Sequence, residues 1–320
     1  LSLAPPAEDI RNPPALSRVG VSLTGAFVPS LGCYWLFRLF AQFWSARAAF
    51  LLALAFPTTT IFIAYARAAW DVMPAAALMC GVLSYSASLL RGEAPSRSAA
   101  MVALTLGAAC SFRFSLVPFI LPAACGVFAA ARRRLSVRSL VISAAIFLAV
   151  MVPSLIYNNI RTGSPLRPAT ASAQYLEGNN ALTGSIPSGL AGLLVSPNRG
   201  LFACSPILLF ALAMPFPWRR LPSDQRTLLS WYGGGALAYT LLIAKMANWG
   251  AFGWGPRYLI PVLPVVFLAA ATGIKYLFHP LKPLVMTAIG VCAVLSLPPA
   301  VVNWHLATTT FHGAADPHAS

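Results

Sequence analysis

The chain has 320 residues, of which 58% are hydrophobic and only 9% charged, and its formal net charge is +15 at pH 7. A soluble domain carries roughly 25% charged residues, so this composition excludes a water-soluble globular protein and indicates that lipid covers much of the surface. The basic residues lie in short connections between apolar runs, where membrane topology and anionic headgroups account for them without nucleic acid.

The chain begins with a polar, Pro-rich stretch that is unlike a signal peptide. We expect residues 1–18 to be the remnant of an outer loop and the natural N-terminus to lie before Leu1. Apolar runs near the ~20 residues needed to cross hydrocarbon then predict about ten crossings, at 19–41, 48–66, 72–90, 98–112, 115–131, 139–157, 200–217, 227–246, 258–278 and 283–303.

The predicted fold class is therefore an all-α, polytopic transmembrane protein. Residues 1–303 form a single transmembrane domain, and 304–320 form a polar C-terminal tail. The basic run at 132–138 predicts a cytoplasmic loop. The connections then alternate, which places the long loop 158–199 outside. The protein is predicted to be a multi-pass protein of the bacterial inner (plasma) membrane.

The turn between the second and third runs carries Asp71, an acid held tightly between two membrane segments on the outer side. It could act as a base, or it could hold Arg67, Arg113 or Lys245 in place, and the ion pair is the simpler role. Arg113 lies where the fourth and fifth runs meet, and these two runs predict either two short helices or a re-entrant pair.

The long outer loop contains two Arg-bearing motifs. Asn158-Asn159-Ile160-Arg161-Thr162-Gly163-Ser164-Pro165-Leu166 ends one helix, and Ser196-Pro197-Asn198-Arg199-Gly200-Leu201 precedes the next. Arg161 could bind a phosphate bidentately. Ser196 or Asn198 could cap the second helix, whose N-terminus with Arg199 would form an anion site. The simpler interpretations are a helix stop with a snorkelling Arg and a cap that holds no ligand.

A third motif, Trp254-Gly255-Pro256-Arg257-Tyr258-Leu259, enters a helix from the same side. Its glycine permits close backbone approach to a ligand, and its Trp and Tyr could pack on a sugar or a lipid chain. An interfacial aromatic belt explains the aromatic residues equally well but leaves Arg257 unexplained. Three Arg-bearing motifs on one face predict a shared anionic ligand, most naturally a phosphate on a lipid. The cysteines show no metal-ligand spacing, and no metal site or cofactor is predicted.

These three motifs, in this order and spacing, resemble those of bacterial membrane glycosyltransferases of the GT-C fold. That group is related to the protein O-mannosyltransferases and the lipid-A aminoarabinose transferase. The similarity runs over roughly residues 20–303, and away from the motifs it is mostly hydropathy. The resemblance implies a polyprenyl-phosphate-linked sugar as donor, a glycan, lipid or protein as acceptor, and transfer on the outer face by a single displacement.

In such enzymes an acidic residue of the first outer loop is the base, and the candidates here are Asp71, Asp9 and Glu8. Glu8 and Asp9 match that loop poorly, so the family's usual acid is expected before Leu1. The predicted donor contacts are Arg113, Asn158, Arg161, Ser196, Asn198, Arg199, Lys245, Trp254, Arg257 and Tyr258.

Three other functions remain open. A transporter or flippase of a lipid-linked or anionic substrate would also have many helices and intramembrane charges, but it would favour polar residues at mid-membrane and related halves. A ligase or polymerase of envelope polysaccharide would share the outer Arg-rich loop. A non-catalytic membrane subunit would fit a chain whose catalytic acid is missing.

Overall fold

The computed structural model describes residues 15–66, 71–166, 182–197, 199–247, 249, 255–277, 287 and 289–294. Within these residues the secondary structure is helical and includes no strand, as the composition predicts. The α-helices are α1 Ala15–Ala41, α2 Ala46–Thr59, α3 Phe62–Ala66, α4 Val72–Arg91, α5 Pro95–Phe112, α6 Val117–Ala131, α7 Val137–Thr162, α8 Ile186–Val195, α9 Leu201–Cys204, α10 Ser223–Lys245 and α11 Leu263–Leu277.

Five helical segments are long and apolar enough to cross a membrane, judged by length and composition: Val72–Arg91, Phe114–Arg134, Val137–Thr162, Ser223–Lys245 and Arg257–Tyr276. These agree with five of the predicted apolar runs. The fourth and fifth runs form separate helices, α5 and α6, joined at Arg113. The predicted run 283–303 lies outside the described residues, apart from 287 and 289–294, and the tail 304–320 lies wholly outside them.

Two of the predicted apolar runs each form two separate helices. The run 48–66 forms α2 and α3, because the chain is extended at Thr60. The run 200–217 forms the short α9 and then a 3₁₀ helix at Pro206–Ala213. Pro206 has no backbone N–H to donate, and Ser205 leaves helical geometry, at φ −146° and ψ 69°. These breaks place irregular backbone inside an apolar region, where protein has to surround it.

The long loop 158–199 is partly helical. Helix α7 continues to Thr162 and stops at Gly163, whose φ of +73° favours glycine. Helix α8 lies within the same stretch and packs against the last turn of α10. A Cβ on Gly189 would meet the backbone carbonyl of Ala244, so this contact requires glycine.

Contacts between the connections define two ends of the bundle. At the end that we call the Asp71 end, Asp71, Arg113 and Tyr258 lie together. At the opposite end, called the Arg134 end, cationic side chains bind backbone carbonyls at or just beyond the ends of helices. Arg134 donates to the carbonyl of Leu90, and Lys275 Nζ lies 2.9 Å from the carbonyl oxygen of Phe43. Cations at helix C-termini satisfy unpaired carbonyls and favour the helix dipole.

The apolar centre contains a cluster of fully buried aromatic rings contributed by α1, α2, α3 and α11. Phe56 lies 4.7 Å from Phe62 and 5.3 Å from Phe267, and Phe40 lies 6.0 Å from Phe267, measured between ring centroids. Lipid tails are as apolar as these side chains, so close packing, rather than exclusion from water, holds such a centre together. The cluster fixes α11, and therefore the residues just before it, relative to the first helices.

Three consecutive glycines in α10 provide a test of this packing. A Cβ on Gly235 would lie 2.6 Å from the carbonyl oxygen of Phe119, whereas a Cβ on Gly233 or Gly234 would meet nothing within 4 Å. Overpacking a tight contact costs about 1–3 kcal/mol, and Ala is favoured over Gly in a helix by about 1 kcal/mol. We therefore expect Gly235→Ala to lower the thermal unfolding temperature in detergent. Gly233→Ala and Gly234→Ala should leave it unchanged or raise it, and equal behaviour of all three would contradict this α6–α10 contact.

Candidate functional site

Asp71 and Arg113 occupy two short connections at the same end of the bundle. Asp71 directly precedes α4, and Arg113 follows α5 with an extended φ of −140° that turns the chain into α6. Arg113 Nη1 lies 2.8 Å from Asp71 Oδ2. The predicted ion pair between Asp71 and a basic residue on its side of the protein is therefore confirmed, and the partner is Arg113.

A second group, from α10, fixes the same guanidinium. Arg113 Nε donates to the hydroxyl of Tyr239 at 3.0 Å, and the Tyr239 ring is fully buried edge-on to Phe119, with 5.7 Å between the ring centroids. The Arg113 side chain is only 11% exposed, whereas that of Asp71 is 45% exposed. The guanidinium is thus buried and held from two sides, and the carboxylate is the more exposed member of the pair.

The surroundings keep Arg113 charged. Burial by itself lowers the pKa of Arg113, but the hydroxyl of Tyr239 and the carboxylate of Asp71 oppose it, so the pKa lies above its usual value. A buried charge is tolerated when it is paired and hydrogen-bonded. The site therefore contains a permanent, oriented cation.

A second cation shares a ring with the first. The Cζ atoms of Arg113 and Arg257 lie 5.1 Å and 5.2 Å from the centroid of Tyr258. Of the acids within the described residues, Asp71 alone lies at this end, so the cluster Asp71–Arg113–Tyr258–Arg257 carries excess positive charge.

The glycine before Arg257 shapes this cluster. Gly255 has a φ of +65°, which disfavours residues with a Cβ, and a Cβ there would lie 3.3 Å from both Cys204 Sγ and Ile61 Cγ2. Next to these two residues, Ser205 Oγ accepts a 2.9 Å hydrogen bond from the backbone N–H of Ile61. The Gly-Pro-Arg-Tyr motif therefore turns tightly against the breaks in the two apolar runs.

Two predicted residues, Asn158 and Arg161, lie at the end of α7. Asn158 Nδ2 donates to the carbonyl of Pro165 at 3.3 Å. Arg161 Nη1 donates to the hydroxyl of Tyr157 at 2.9 Å, one turn away. Helix α7 packs mainly on α5, and within the described residues Arg161 forms no hydrogen bond or ion pair with the Asp71 cluster. In the described part of the chain, these two residues form a local helix end.

The remaining predicted residues lie around α8 and its neighbours. The carbonyl of Ser196 accepts bonds from the N–H groups of Arg199 and Gly200. The expected Ser196 cap is wrong, because α9 begins after Gly200 with no side-chain cap. Lys245 ends α10, and its carbonyl accepts a 2.9 Å bond from Gly184. Glu8, Asp9, Asn198 and Trp254 lie outside the described residues.

Sequence reasoning missed Tyr239, although a signal was present. Tyr232 and Tyr239 lie seven residues apart in the apolar run 227–246, which places them two turns apart on one helix face. A buried tyrosine hydroxyl usually has a hydrogen-bond partner. Here Tyr232 bonds Ser86 at 2.8 Å and Tyr239 bonds Arg113. Paired tyrosines in a membrane segment therefore pointed to polar partners on other helices.

The chemistry available at this cluster follows from its hydrogen-bond acceptors and donors. Asp71 uses Oδ2 to hold Arg113, whereas its Oδ1 accepts no hydrogen bond from the described residues, so this oxygen is available to the hydroxyl group of an approaching molecule. Arg113 and Arg257 can bind a phosphate through their remaining N–H groups.

Comparisons of the chain with protein-family models, with curated proteins and with solved structures found no match.

Proposed function

We propose that the protein is a glycosyltransferase that moves a sugar from a polyprenyl-phosphate donor to an acceptor on the outer face of a bacterial inner membrane. The observation that carries this proposal is the meeting of two guanidiniums on the ring of Tyr258 beside one carboxylate. Such a cluster offers an anion site and a proton acceptor side by side, as transfer from a phosphate leaving group requires. The order and spacing of the three Arg-bearing motifs favour the GT-C fold.

The position of the cluster favours a phosphate carried on a lipid. Asp71 precedes one apolar helix, Arg113 precedes a second, and Arg257 begins a third. This position at the ends of apolar helices supports a location at the membrane boundary, near the depth of a lipid headgroup. A polyprenyl phosphate presents its charge at this depth and its chain to the hydrocarbon, whereas a soluble donor gains nothing from such a location.

The proposed reaction is a single displacement. The acceptor hydroxyl gives its proton to Asp71 Oδ1 while its oxygen forms a bond to the anomeric carbon of the sugar. The bond from that carbon to the phosphate oxygen breaks, and its electron pair leaves with the lipid phosphate. Arg113 and Arg257 stabilise the negative charge that grows on this phosphate, and because they are held in advance they need no reorganisation during the reaction.

The proposal also includes the other residues that the sequence predicts. The remaining donor contacts that the sequence predicts stay part of the proposal without structural support: Asn158, Arg161, Ser196, Asn198, Arg199, Lys245 and Trp254. Glu8 and Asp9 are the alternative bases. Donor selection by the full chain in lipid, with and without Arg257, tests the proposal.

The orientation of the bundle has its own test. We expect a single cysteine placed within 167–181, in a variant with the natural cysteines replaced, to react with a membrane-impermeant maleimide on intact cells, because the Lys/Arg bias places the Asp71 end outside. Arg133→Cys, at the exposed Arg134 end, is the matched control and should react only after the membrane is opened. The reverse pattern would place the candidate site on the cytoplasmic side and contradict the proposal.

A further inference from the structure

A second cationic feature lies at the Arg134 end, in residues 214–222, which we call the Arg219 turn. Three prolines, Pro215, Pro217 and Pro222, restrict its backbone. Two hydrogen bonds close the turn, from Trp218 N–H to the carbonyl of Pro215 at 3.3 Å and from Arg220 N–H to that of Pro217 at 2.8 Å. The turn is therefore ordered by its own sequence before any ligand arrives.

The Arg219 turn borders an open cavity of about 600 Å³, lined by Met214, Pro215, Phe216, Trp218, Arg219 and Arg220. Phe216 is 79% exposed, and Arg219 and Arg220 are exposed as well. Neither arginine side chain forms a hydrogen bond or an ion pair with the described residues. The nearby Asp224 carboxylate instead accepts a bond from Ser223. The cavity thus combines two guanidiniums that are available to a ligand with the aromatic side chains of Phe216 and Trp218.

We propose that the Arg219 turn binds the headgroup of an anionic phospholipid in the membrane leaflet at the Arg134 end. Guanidinium groups bind phosphate oxygens in pairs, and Trp and other aromatic side chains favour the headgroup level of a bilayer. Phe216 lies three residues after the apolar 3₁₀ helix Pro206–Ala213 and is exposed, so an acyl chain can cover it. Inorganic phosphate offers the same charge but leaves Phe216 exposed, so charge and shape together favour the lipid.

The test uses the full chain in neutral detergent micelles that contain phosphatidylglycerol with brominated acyl chains. Quenching of Trp218, defined as the signal that Trp218→Phe removes, reports binding. We expect tighter binding than to brominated phosphatidylcholine. A charge-assisted hydrogen bond to the lipid phosphate contributes about one to two decades in affinity, so Arg219→Gln with Arg220→Gln should weaken binding by at least about tenfold. Phe216→Ser should weaken phosphatidylglycerol binding further.

The matched control is Arg132→Gln with Arg133→Gln, which removes the same charge from exposed positions at the same end where the side chains line no described cavity. This pair should change the affinity by much less. Equal losses in both double variants would show unspecific surface attraction and overturn the proposal. Displacement of the lipid by millimolar inorganic phosphate, dependent on Arg219 and Arg220, would overturn it too, because free phosphate would then be the ligand. Sugar transfer is not measured here, so this result is independent of the proposed enzymatic activity.

Discussion

Asp71→Asn is expected to lower the turnover of sugar transfer by about 10²–10⁴-fold, the usual contribution of a positioned general base. Asn keeps the size of Asp and can still accept one hydrogen bond from Arg113, but its amide cannot take the acceptor proton. The loss should appear in kcat, with the KM for the donor little changed. The measurement is transfer from a polyprenyl-phosphate sugar by the full chain in lipid.

Two variants separate a base from a residue that only positions Arg113. Tyr239→Phe removes the other hydrogen bond to Arg113 while keeping the ring that packs on Phe119. It should raise the donor KM with little change in kcat, whereas Asp71→Asn should lower kcat with little change in KM. Asp224→Asn, an acid in the first turn of α10 at the far end, should leave transfer unchanged.

Unchanged turnover in Asp71→Asn would show that Asp71 serves only as the ionic partner of Arg113. Glu8 and Asp9 would then be the next candidates, tested by the same pair of measurements. Loss of turnover in the Glu8 or Asp9 variant alone would move the proton acceptor to the segment that precedes α1. Full turnover in all three variants would contradict every candidate base named here.

The sequence was sufficient for the features that depend on local hydropathy and charge. Apolar runs near the thickness of hydrocarbon located the five helical segments that are long and apolar enough to cross a membrane, since composition decides whether a helix tolerates lipid. An ion pair of Asp71 was also predictable, because an acid confined between two membrane segments needs a cation nearby, but the sequence left Arg67, Arg113 and Lys245 open as the partner. The number of crossings was harder to read. A run of apolar residues does not reveal a break such as that at Ser205, which Pro206 and the packing of Ile61 impose.

The composition of the site depended on tertiary packing that no local pattern encodes. Arg161, Arg199 and Arg257 begin or end helices in similar ways, yet of these only Arg257 has described contacts within the Asp71 cluster. Which helix ends meet is decided by helix order and by contacts such as the Phe40–Phe56–Phe267 cluster that fixes α11. Tyr239 entered the site for the same reason, from the middle of a run that hydropathy marks as purely membrane-spanning.

Arg257→Ala is expected to reduce use of a polyprenyl-phosphate donor by about one to two decades. A hydrogen bond to a charged group contributes about 1.5–3 kcal/mol, and 1.4 kcal/mol corresponds to tenfold. Arg257→Lys should restore only part of this loss, because an ammonium is a point charge and cannot make the two parallel bonds of a guanidinium. Arg113 stays anchored by Asp71 and Tyr239, so the variant should retain a folded site with one cation fewer.

The experiment compares a polyprenyl-phosphate sugar with a nucleotide sugar, each offered to the full chain in lipid, for the wild type, Arg257→Ala, Arg257→Lys and the control Arg97→Ala. Arg97 is exposed in the first turn of α5, at the opposite end, and its loss should leave donor use unchanged. A graded loss, with Lys between Arg and Ala, would show that a bidentate contact to the donor phosphate is made at position 257. Efficient transfer from the nucleotide sugar, insensitive to Arg257, would contradict the lipid-phosphate donor. Absence of transfer from both donors by the wild type would instead favour a transporter or a non-catalytic subunit, in which the same pair of guanidiniums would bind an anionic substrate without cleaving it.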